Sequence, residues 1–404
     1  MKKFTESDGG GVTSATGFEA AGIFCGIRKA KKDIAIIRSL VPAKVAAVFT
    51  LNRTLAAPVV LDKIILKRSD RCSAIIVNSG NANACTGERG FGDAERMVEL
   101  TAESLGIPKN EVLVASTGVI GQYLPMDVIE TGIPEVASIL SHDGSDDAAD
   151  AIMTTDTFAK KCTVSFEIGG KHITIGGIAK GSGMIEPNMA TMLAFITTDA
   201  NIEEIFLQKV FRRGINRSFN RISVDGDMST NDMAVLLANG LAENIEIIEG
   251  SEEAKIFESA LDHVVISLAK MIARDGEGAT KLIEIEVKGA ATHKDAVAAA
   301  RSVANSNLVK TAIHGEDANW GRILAALGYS GVDLFPEQIE LSMNDLPILG
   351  KGYTILMDEM KTKEALAQNN IWLSIDLNQG EDSAIFWTCD LTKEYIDINA
   401  NYRT

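Results

Sequence analysis

The fold class is decided by the stretch from Cys72 to Leu105, CSAIIVNSGNANACTGERGFGDAERMVELTAESL. It opens with a short apolar run, Cys72–Val77, which is rich in β-branched residues and is followed by a glycine-containing segment. From Phe91 to Leu105 the apolar residues recur every three to four positions, which predicts a helix after a strand. This alternation of strand and helix patterns predicts an α/β or α+β protein.

The same two patterns continue to the end of the chain. Val164, Phe166 and Ile168 alternate with polar residues before Gly169-Gly170, and the alternation resumes at Ile173, which predicts a β-hairpin with a two-residue turn. Helical spacing predicts helices over 251–273 and 361–368. Strand alternation recurs over 282–287 and 371–377.

Length and charge limit the classes of function. The chain has 404 residues, enough for two or three domains, and its 39 basic and 55 acidic residues give a net charge of −16. Because such a chain repels phosphate backbones and anionic lipid, nucleic acid and membranes are not expected partners. No signal-peptide pattern follows Lys2 and Lys3, and no uncharged apolar run reaches the roughly 18 to 20 residues that span a bilayer. We therefore expect a cytoplasmic protein.

Cysteines and histidines offer no recognisable cluster. The five cysteines are scattered without a C-x-x-C pair or a neighbouring histidine, so neither a disulfide framework nor a zinc site is expected. None of the five histidines lies in a G-x-S-x-G motif or next to a plausible nucleophile, which disfavours a histidine-based triad. The glycine-containing segments 180–184 and 276–281 lack Walker or dinucleotide-binding spacing and are, taken alone, more typical of turns.

One segment combines a glycine loop, a Pro-Asn turn and an apolar run, KGSGMIEPNMATMLAFITTD over residues 180–199. Thr191 is the single hydroxyl residue among Met189, Ala190, Met192 and Leu193. By pattern alone, such a threonine is typically a β-branched strand residue. Lys180 and Glu277, by the same reasoning, are more typical of solvated surface charges.

Several long motifs, found in order along nearly the whole chain, change this interpretation. They closely resemble the ornithine acetyltransferase family of arginine biosynthesis. The motifs are the segment 180–199, NSGNANACTG over 78–87, ASTGVIG over 115–121, DGEGATK over 275–281 and EYIDINANYRT over 394–404. The resemblance implies an α/β fold of two domains with mixed sheets flanked by helices.

Members of this family cut their own chain before a threonine, and the matching bond here joins Ala190 to Thr191. The resemblance implies an α fragment, 1–190, carrying the oxyanion hole, and a β fragment, 191–404, beginning with the nucleophile. The cut is not a domain border, and a structural boundary is possible near 280–290. Scission releases an α-amine with a reference pKa of about 7.7 to 8.0 on the residue that carries the hydroxyl, so that Thr191 supplies both nucleophile and base.

The resemblance also assigns the remaining site residues. Thr117 and Gly118 form the oxyanion hole, and we expect them in a turn after the strand-like run 112–115. Lys180 is a candidate partner for the substrate carboxylate, and Glu277 for the ornithine ammonium. Substrate contacts are implied for Thr154, Lys180, Thr191, Glu277, Asn399 and Thr404.

The expected reaction is ping-pong glutamate N-acetyltransfer. Thr191 takes an acetyl group from N-acetylornithine and gives it to L-glutamate, without a metal or other cofactor. Acetyl-CoA is a possible second donor, which would make the enzyme bifunctional. The fragments are expected to stay associated, with family resemblance suggesting a heterotetramer of two each.

Two alternatives remain open at this point. One keeps the self-processed threonine but makes water the acceptor, as in an amidohydrolase or aminopeptidase. The other is an unprocessed amino-acid-binding or assembly protein whose Thr191 is inert.

Overall fold

A computed structural model of the chain describes residues 4–7, 9–186 and 192–401. The chain divides into two compact units. Unit 1 comprises Met1–Gly181, Pro187–Asn220 and Met228–Ala269, and unit 2 comprises Ser182–Glu186, Arg221–Asp227 and Lys270–Thr404. Each unit has its own sheet and its own apolar core.

The sheet of unit 1 is mixed and, within the described residues, nine-stranded. Its strands are β1 (Thr5–Glu6), β2 (Phe18–Ile23), β3 (Ile34–Phe49), β4 (Arg71–Asn81), β5 (Val112–Val119), β6 (Lys160–Ile168), β7 (Lys171–Lys180), β8 (Leu193–Thr198) and β9 (Met233–Ala238). The spatial order is β1-β6-β7-β8-β9-β3-β4-β5, with β2 paired to β3. The pairs β4–β5 and β8–β9 are parallel and the others are antiparallel.

Helices cover this sheet because each buries an apolar face against it. They are α1 (Ala57–Ile65), α2 (Gly87–Leu105), α3 (Met126–Ser138), α4 (Ser145–Ile152), α5 (Glu204–Arg217) and α6 (Glu252–Arg274), whose last turn belongs to unit 2. Ile36, Ile76 and Val114, on neighbouring strands, are fully buried in the core. On α6, Phe257 packs edge-on against Phe166 of β6.

Unit 2 contains the second mixed sheet, six-stranded in the part of the chain that is described. Its strands are β10 (Leu282–Ala290), β11 (Glu340–Met343), β12 (Leu346–Gly350), β13 (Thr354–Ile355), β14 (Asn370–Asp376) and β15 (Asp382–Cys389). The order is β13-β12-β11-β14-β10-β15, and only β10 and β14 pair in parallel among these strands. The helices of unit 2 are α7 (His293–Ala304), α8 (Asn307–His314), α9 (Trp320–Gly328), α10 (Glu359–Leu366) and α11 (Lys393–Ala400).

The α/β class with mixed sheets flanked by helices is confirmed. So is the hairpin: β6 and β7 pair from Ile168 opposite Lys171, and Gly169 and Gly170 both have positive φ, as a type I′ turn requires. The long helix over 251–273 is α6, and the strands and the helix expected after residue 280 are present. Strand β10 ends three residues beyond its predicted end, and the other bounds agree within two residues.

No helix in the described ranges is both long enough and apolar enough to cross a membrane.

Candidate active site

The ammonium of Lys180 brings three of the predicted site residues of unit 1 together. Lys180 is the last residue of β7 and is 7% exposed. Its Nζ donates to Thr154 Oγ1 at 3.0 Å and to Thr117 Oγ1 at 3.2 Å. The interpretation of Lys180 as a solvated surface charge is therefore wrong: the strand carries this cation into the interior.

Asp156 compensates the positive charge around Lys180. One carboxylate oxygen accepts from Lys160 Nζ and from the Gly181 backbone N–H, both at 2.7 Å, and the other accepts from the Thr154 backbone N–H at 2.9 Å. Burial alone would raise the pKa of Asp156, but the Lys160 and Lys180 ammoniums and these hydrogen bonds outweigh it and hold the pKa far below its usual range. Asp156 is thus an ionised carboxylate that accepts three hydrogen bonds. We call Thr117, Thr154, Asp156, Lys160 and Lys180 the lysine cluster.

Thr117 and Gly118 lie at the distorted end of β5, where the parallel register with β4 shifts at Gly80 and Asn81. The expected turn after 112–115 is wrong, because β5 continues to Val119. Gly118 has φ +134°, and a Cβ there would lie 2.3 Å from the Gly80 carbonyl carbon. Only glycine fits this close approach of two backbones.

A buried amide network supports this end of β5. Asn231 Nδ2 donates to the Ser116 carbonyl at 2.9 Å and to the Ala82 carbonyl at 2.5 Å. The Ser116 hydroxyl donates to Asn78 Oδ1 at 2.6 Å. These bonds fix the residue immediately before Thr117. Asn231 was not predicted from the sequence. Its segment, DGDMSTND over 225–232, is nevertheless rich in Asp and Asn, whose side chains commonly hydrogen-bond backbone groups.

Unit 2 contains a second cluster, centred on Glu277. This carboxylate is 7% exposed, so for Glu277 too the surface-charge interpretation is wrong. Its Oε2 accepts from Asn399 Nδ2 at 2.7 Å, and its backbone N–H donates to the Ser182 carbonyl at 3.0 Å. Gly183 lies so close that a Cβ there would be 2.4 Å from the Glu277 carboxyl carbon. We call Ser182, Gly183, Glu277 and Asn399 the glutamate cluster.

The Glu277 carboxylate has no cationic partner among the described residues, since no Lys, Arg or His nitrogen of those ranges lies within ion-pair distance. The nearby phenol, Tyr395, stays neutral: burial and the charge of Asp225, to which its hydroxyl donates at 3.3 Å, raise its pKa. A buried carboxylate with one amide donor is suited to bind a cationic ligand group.

Three predicted site residues lie outside the described residues. They are Ala190 and Thr191, at the expected cut, and Thr404, at the end of the chain. The Pro187-Asn188 turn that precedes the cut also lies outside these ranges. The roles assigned to them stay predictions.

The chemistry of the described groups indicates a class of enzyme. A buried ammonium beside two hydroxyls can bind a carboxylate, and a glycine at a tight backbone crossing allows close approach of a carbonyl oxygen. A buried, cation-free carboxylate can bind an ammonium. Such groups are typical of α/β enzymes that act on amino acids.

The chain is similar to several known proteins. A solved chain of ornithine acetyltransferase from Mycobacterium tuberculosis, described as complexed with ornithine, is 38% identical and covers 47% of this chain and 99% of its own, with a TM-score of 0.43. The arginine biosynthesis bifunctional protein ArgJ of Symbiobacterium thermophilum is 53% identical, over 98% of this chain and 99% of its own. The protein of that name from Caldanaerobacter subterraneus subsp. tengcongensis is 52% identical, over 96% and 97%. A model of the ArgJ family matches residues 19–404. The chain belongs to the ArgJ family.

Proposed function

We propose that this protein is a glutamate N-acetyltransferase of arginine biosynthesis, which moves an acetyl group from N-acetylornithine to L-glutamate through Thr191. Membership of the ArgJ family supports the activity. The single structural observation that carries the proposal is the buried Lys180 ammonium bonded to the hydroxyls of Thr117 and Thr154. It joins a carboxylate-binding cation to a residue of the proposed oxyanion hole.

The first step is self-cleavage. The Thr191 hydroxyl attacks the Ala190 carbonyl carbon, the C–N bond breaks and the nitrogen takes up the hydroxyl proton, which leaves an ester. Water then hydrolyses the ester to a free Ala190 carboxylate and a Thr191 with both hydroxyl and α-amine. The alanine methyl group crowds the carbonyl little.

Acetyl transfer follows from the new amine. The Thr191 hydroxyl oxygen attacks the acetyl carbonyl of N-acetylornithine while its proton passes to the α-amine and on to the leaving nitrogen of ornithine. Glutamate then attacks the acetyl-threonine ester through its own α-amine, and the proton returns to the threonine oxygen. Thr117 and Gly118 stabilise the negative oxygen of both tetrahedral intermediates, each donor being worth about 2.7 to 4 kcal/mol.

Each cluster is suited to recognise one charged group of a substrate. Lys180 pairs with the α-carboxylate that ornithine and glutamate share, with Thr154 as its hydroxyl partner. Glu277, buried and without a cation in the described ranges, binds the side-chain ammonium of ornithine, and Asn399 holds its carboxylate in place. Thr404 and Thr191 complete the contacts.

The remaining features of the proposal follow the family. We propose fragments 1–190 and 191–404 that remain associated, because separating halves of one core exposes apolar surface at about 25 cal/mol per Å². Assembly of two copies of each and a cytoplasmic location are part of the same proposal. So is the use of acetyl-CoA as a second donor, since the close relatives are named bifunctional.

The assay uses N-acetylornithine labelled in the acetyl group, with and without glutamate. The proposal predicts labelled N-acetylglutamate only when glutamate is present, and without glutamate the release of ornithine should stop at one equivalent per chain. Label released mainly as acetate, even with glutamate, would make water the acceptor and contradict the transferase. A separate reaction with acetyl-CoA and glutamate, without acetylornithine, tests the second donor.

A further inference from the structure

A group of side chains that can bind a metal lies in unit 1; it shares strand β6 with the lysine cluster but none of that cluster's residues. Glu6 belongs to β1, Cys162 to β6 and His263 to α6. One ligand atom from each lies within 4.8 Å of the other two, and His263 Nε2 lies 2.8 Å from a Glu6 carboxylate oxygen. The fold thus brings a thiol, an imidazole and a carboxylate to one point.

The pairing of strands explains why these side chains meet. β1 runs antiparallel to β6 with Glu6 opposite Val164, so Glu6, Val164 and Cys162 project from the same face of the sheet. α6 packs on that face through Phe257. His263 therefore reaches the sheet edge from above, where Cys162 is buried and Glu6 is exposed to solvent.

We propose that Glu6, Cys162 and His263 bind a divalent cation of borderline softness, Zn²⁺ being the type. Donor atoms about 2.0 to 2.3 Å from a tetrahedral Zn²⁺ lie roughly 3.3 to 3.7 Å apart. The Glu6 and His263 atoms, 2.8 Å apart, would separate slightly to bind the ion, and the distances to Cys162 are at most 4.8 Å. A thiolate and an imidazole select such an ion over Mg²⁺ or Ca²⁺, which prefer oxygen. The half-exposed side of the cluster leaves the fourth position to water.

A neighbouring aromatic ring orients one of the three ligands. The Phe4 ring packs against the imidazole with 5.0 Å between ring centroids. Support of this kind around the ligands is usual at protein metal sites.

The bound ion would fasten the start of the chain. β1 is only two residues long and pairs with β6 alone among the described strands. A metal bound to Glu6, Cys162 and His263 adds a link from β1 to both β6 and α6. The spacing rules used on the sequence missed this site because its ligands come from three distant segments.

The test uses reduced, chelator-treated full-length protein without a polyhistidine tag, titrated with Co²⁺. We expect saturable uptake of one ion per chain with a thiolate-to-metal charge-transfer band. Cys162→Ser should lose the band, and the matched control Cys85→Ser, which changes an exposed free cysteine elsewhere, should keep it. Absence of the band in the wild-type protein, or its persistence in Cys162→Ser, would overturn the proposal.

A second variant covers the case in which Cys162→Ser fails to fold. His263 is partly exposed, so His263→Gln should leave the fold intact. Zn²⁺ should raise the melting temperature of the wild-type protein and not that of His263→Gln, because an ion that binds only the folded state stabilises it. An equal rise in both proteins would overturn the proposal. Neither measurement depends on acetyl transfer.

Discussion

The lysine cluster of unit 1 and the glutamate cluster of unit 2 hold opposite charges by different means. In the lysine cluster, the buried carboxylate of Asp156 compensates the nearby ammoniums and accepts three hydrogen bonds within 3 Å. In the glutamate cluster, the equally buried Glu277 has an amide partner and no cation among the described residues. In the first cluster one carboxylate faces two ammoniums, whereas the carboxylate of the second has no cation among the described residues.

This difference distinguishes buried charged groups that fix the structure from buried charged groups that bind a substrate. A buried ion pair with full hydrogen bonding fixes geometry, since removing one partner leaves an uncompensated charge. A buried carboxylate without a cation gains most from a ligand that brings one. Substitutions in the lysine cluster should therefore affect stability, the chemical step or the binding of the carboxylate that both substrates share, and those in the glutamate cluster should affect the choice of substrate.

The largest effect is expected for Asp156→Asn, which leaves Lys160 buried without its acid. Urea unfolding should show a loss of about 3 to 5 kcal/mol near pH 7. The matched control is Asp146→Asn, which breaks the exposed pair with the adjacent Lys161 and should cost at most about 1 kcal/mol. Equal losses would show that Asp156 does not balance a buried charge.

The same variant has a defined pH dependence. Because the pKa of Asp156 is depressed in the folded state, its stabilisation is present above the unfolded value of about 3.9 and is lost as the pH falls towards the folded pKa. The difference in stability between wild type and Asp156→Asn should thus be constant from pH 7 to about 5 and shrink below about 4. A difference that grows on acidification would contradict the assignment.

Gly118→Ala should lower kcat by about 10²- to 10³-fold, because the new methyl group forces β5 away from β4 at the proposed oxyanion hole. Gly121→Ala is its control: Gly121 also has positive φ, but a Cβ there meets no atom within 4 Å. Both substitutions strain a backbone with positive φ, but only Gly118→Ala adds a clash. A comparison of the steady-state kinetics of the two variants therefore measures the effect of the clash. Equal kcat values in the two variants would contradict the proposed role of Gly118 in the oxyanion hole.

Lys180→Met should reduce kcat/KM for N-acetylornithine and for glutamate alike, by about 10- to 100-fold, because both substrates lose the carboxylate partner. Lys171→Met, at the exposed start of the same strand, should change neither. A loss confined to one substrate would show that Lys180 does not bind the shared carboxylate.

The smallest effect is expected for Glu277→Gln, which keeps the shape and removes the charge. The KM for N-acetylornithine should rise about 10-fold, whereas that for glutamate, which lacks a side-chain ammonium, should not rise. Glu381→Gln, on the surface of the same unit, serves as the control. A parallel rise for both substrates would assign Glu277 a general structural role.

Local pattern predicted much of this fold and less of the site. The Gly169-Gly170 hairpin and α6 follow from short-range spacing, which the sequence displays directly. Burial of Lys180 and Glu277 does not, because it depends on which strands and loops pack around them. The extension of β5 through Gly118 was missed for the same reason: its pairing with Gly80 joins distant parts of the chain.

The supporting residues were the hardest to predict. Asp156 gave no signal because only Lys160, four residues away, is local, whereas Lys180 and Gly181 come near it through the pairing of β6 with β7. Asn231 lies outside the motifs on which the family resemblance rests, and its bonds to Ser116 and Ala82 cross between distant segments. The resemblance assigned the residues proposed to contact substrate and not those that hold them.

The central claim is that Thr191 becomes a chain end and carries the acetyl group, and intact-mass spectrometry of active protein tests it most directly. The account predicts two chains of about 20 and about 23 kDa from the 43.2 kDa precursor, the larger beginning with Thr191. After N-acetylornithine is added without glutamate, the larger chain should gain one acetyl group on its first residue. Fully active protein in which Ala190 is still joined to Thr191 would contradict the account.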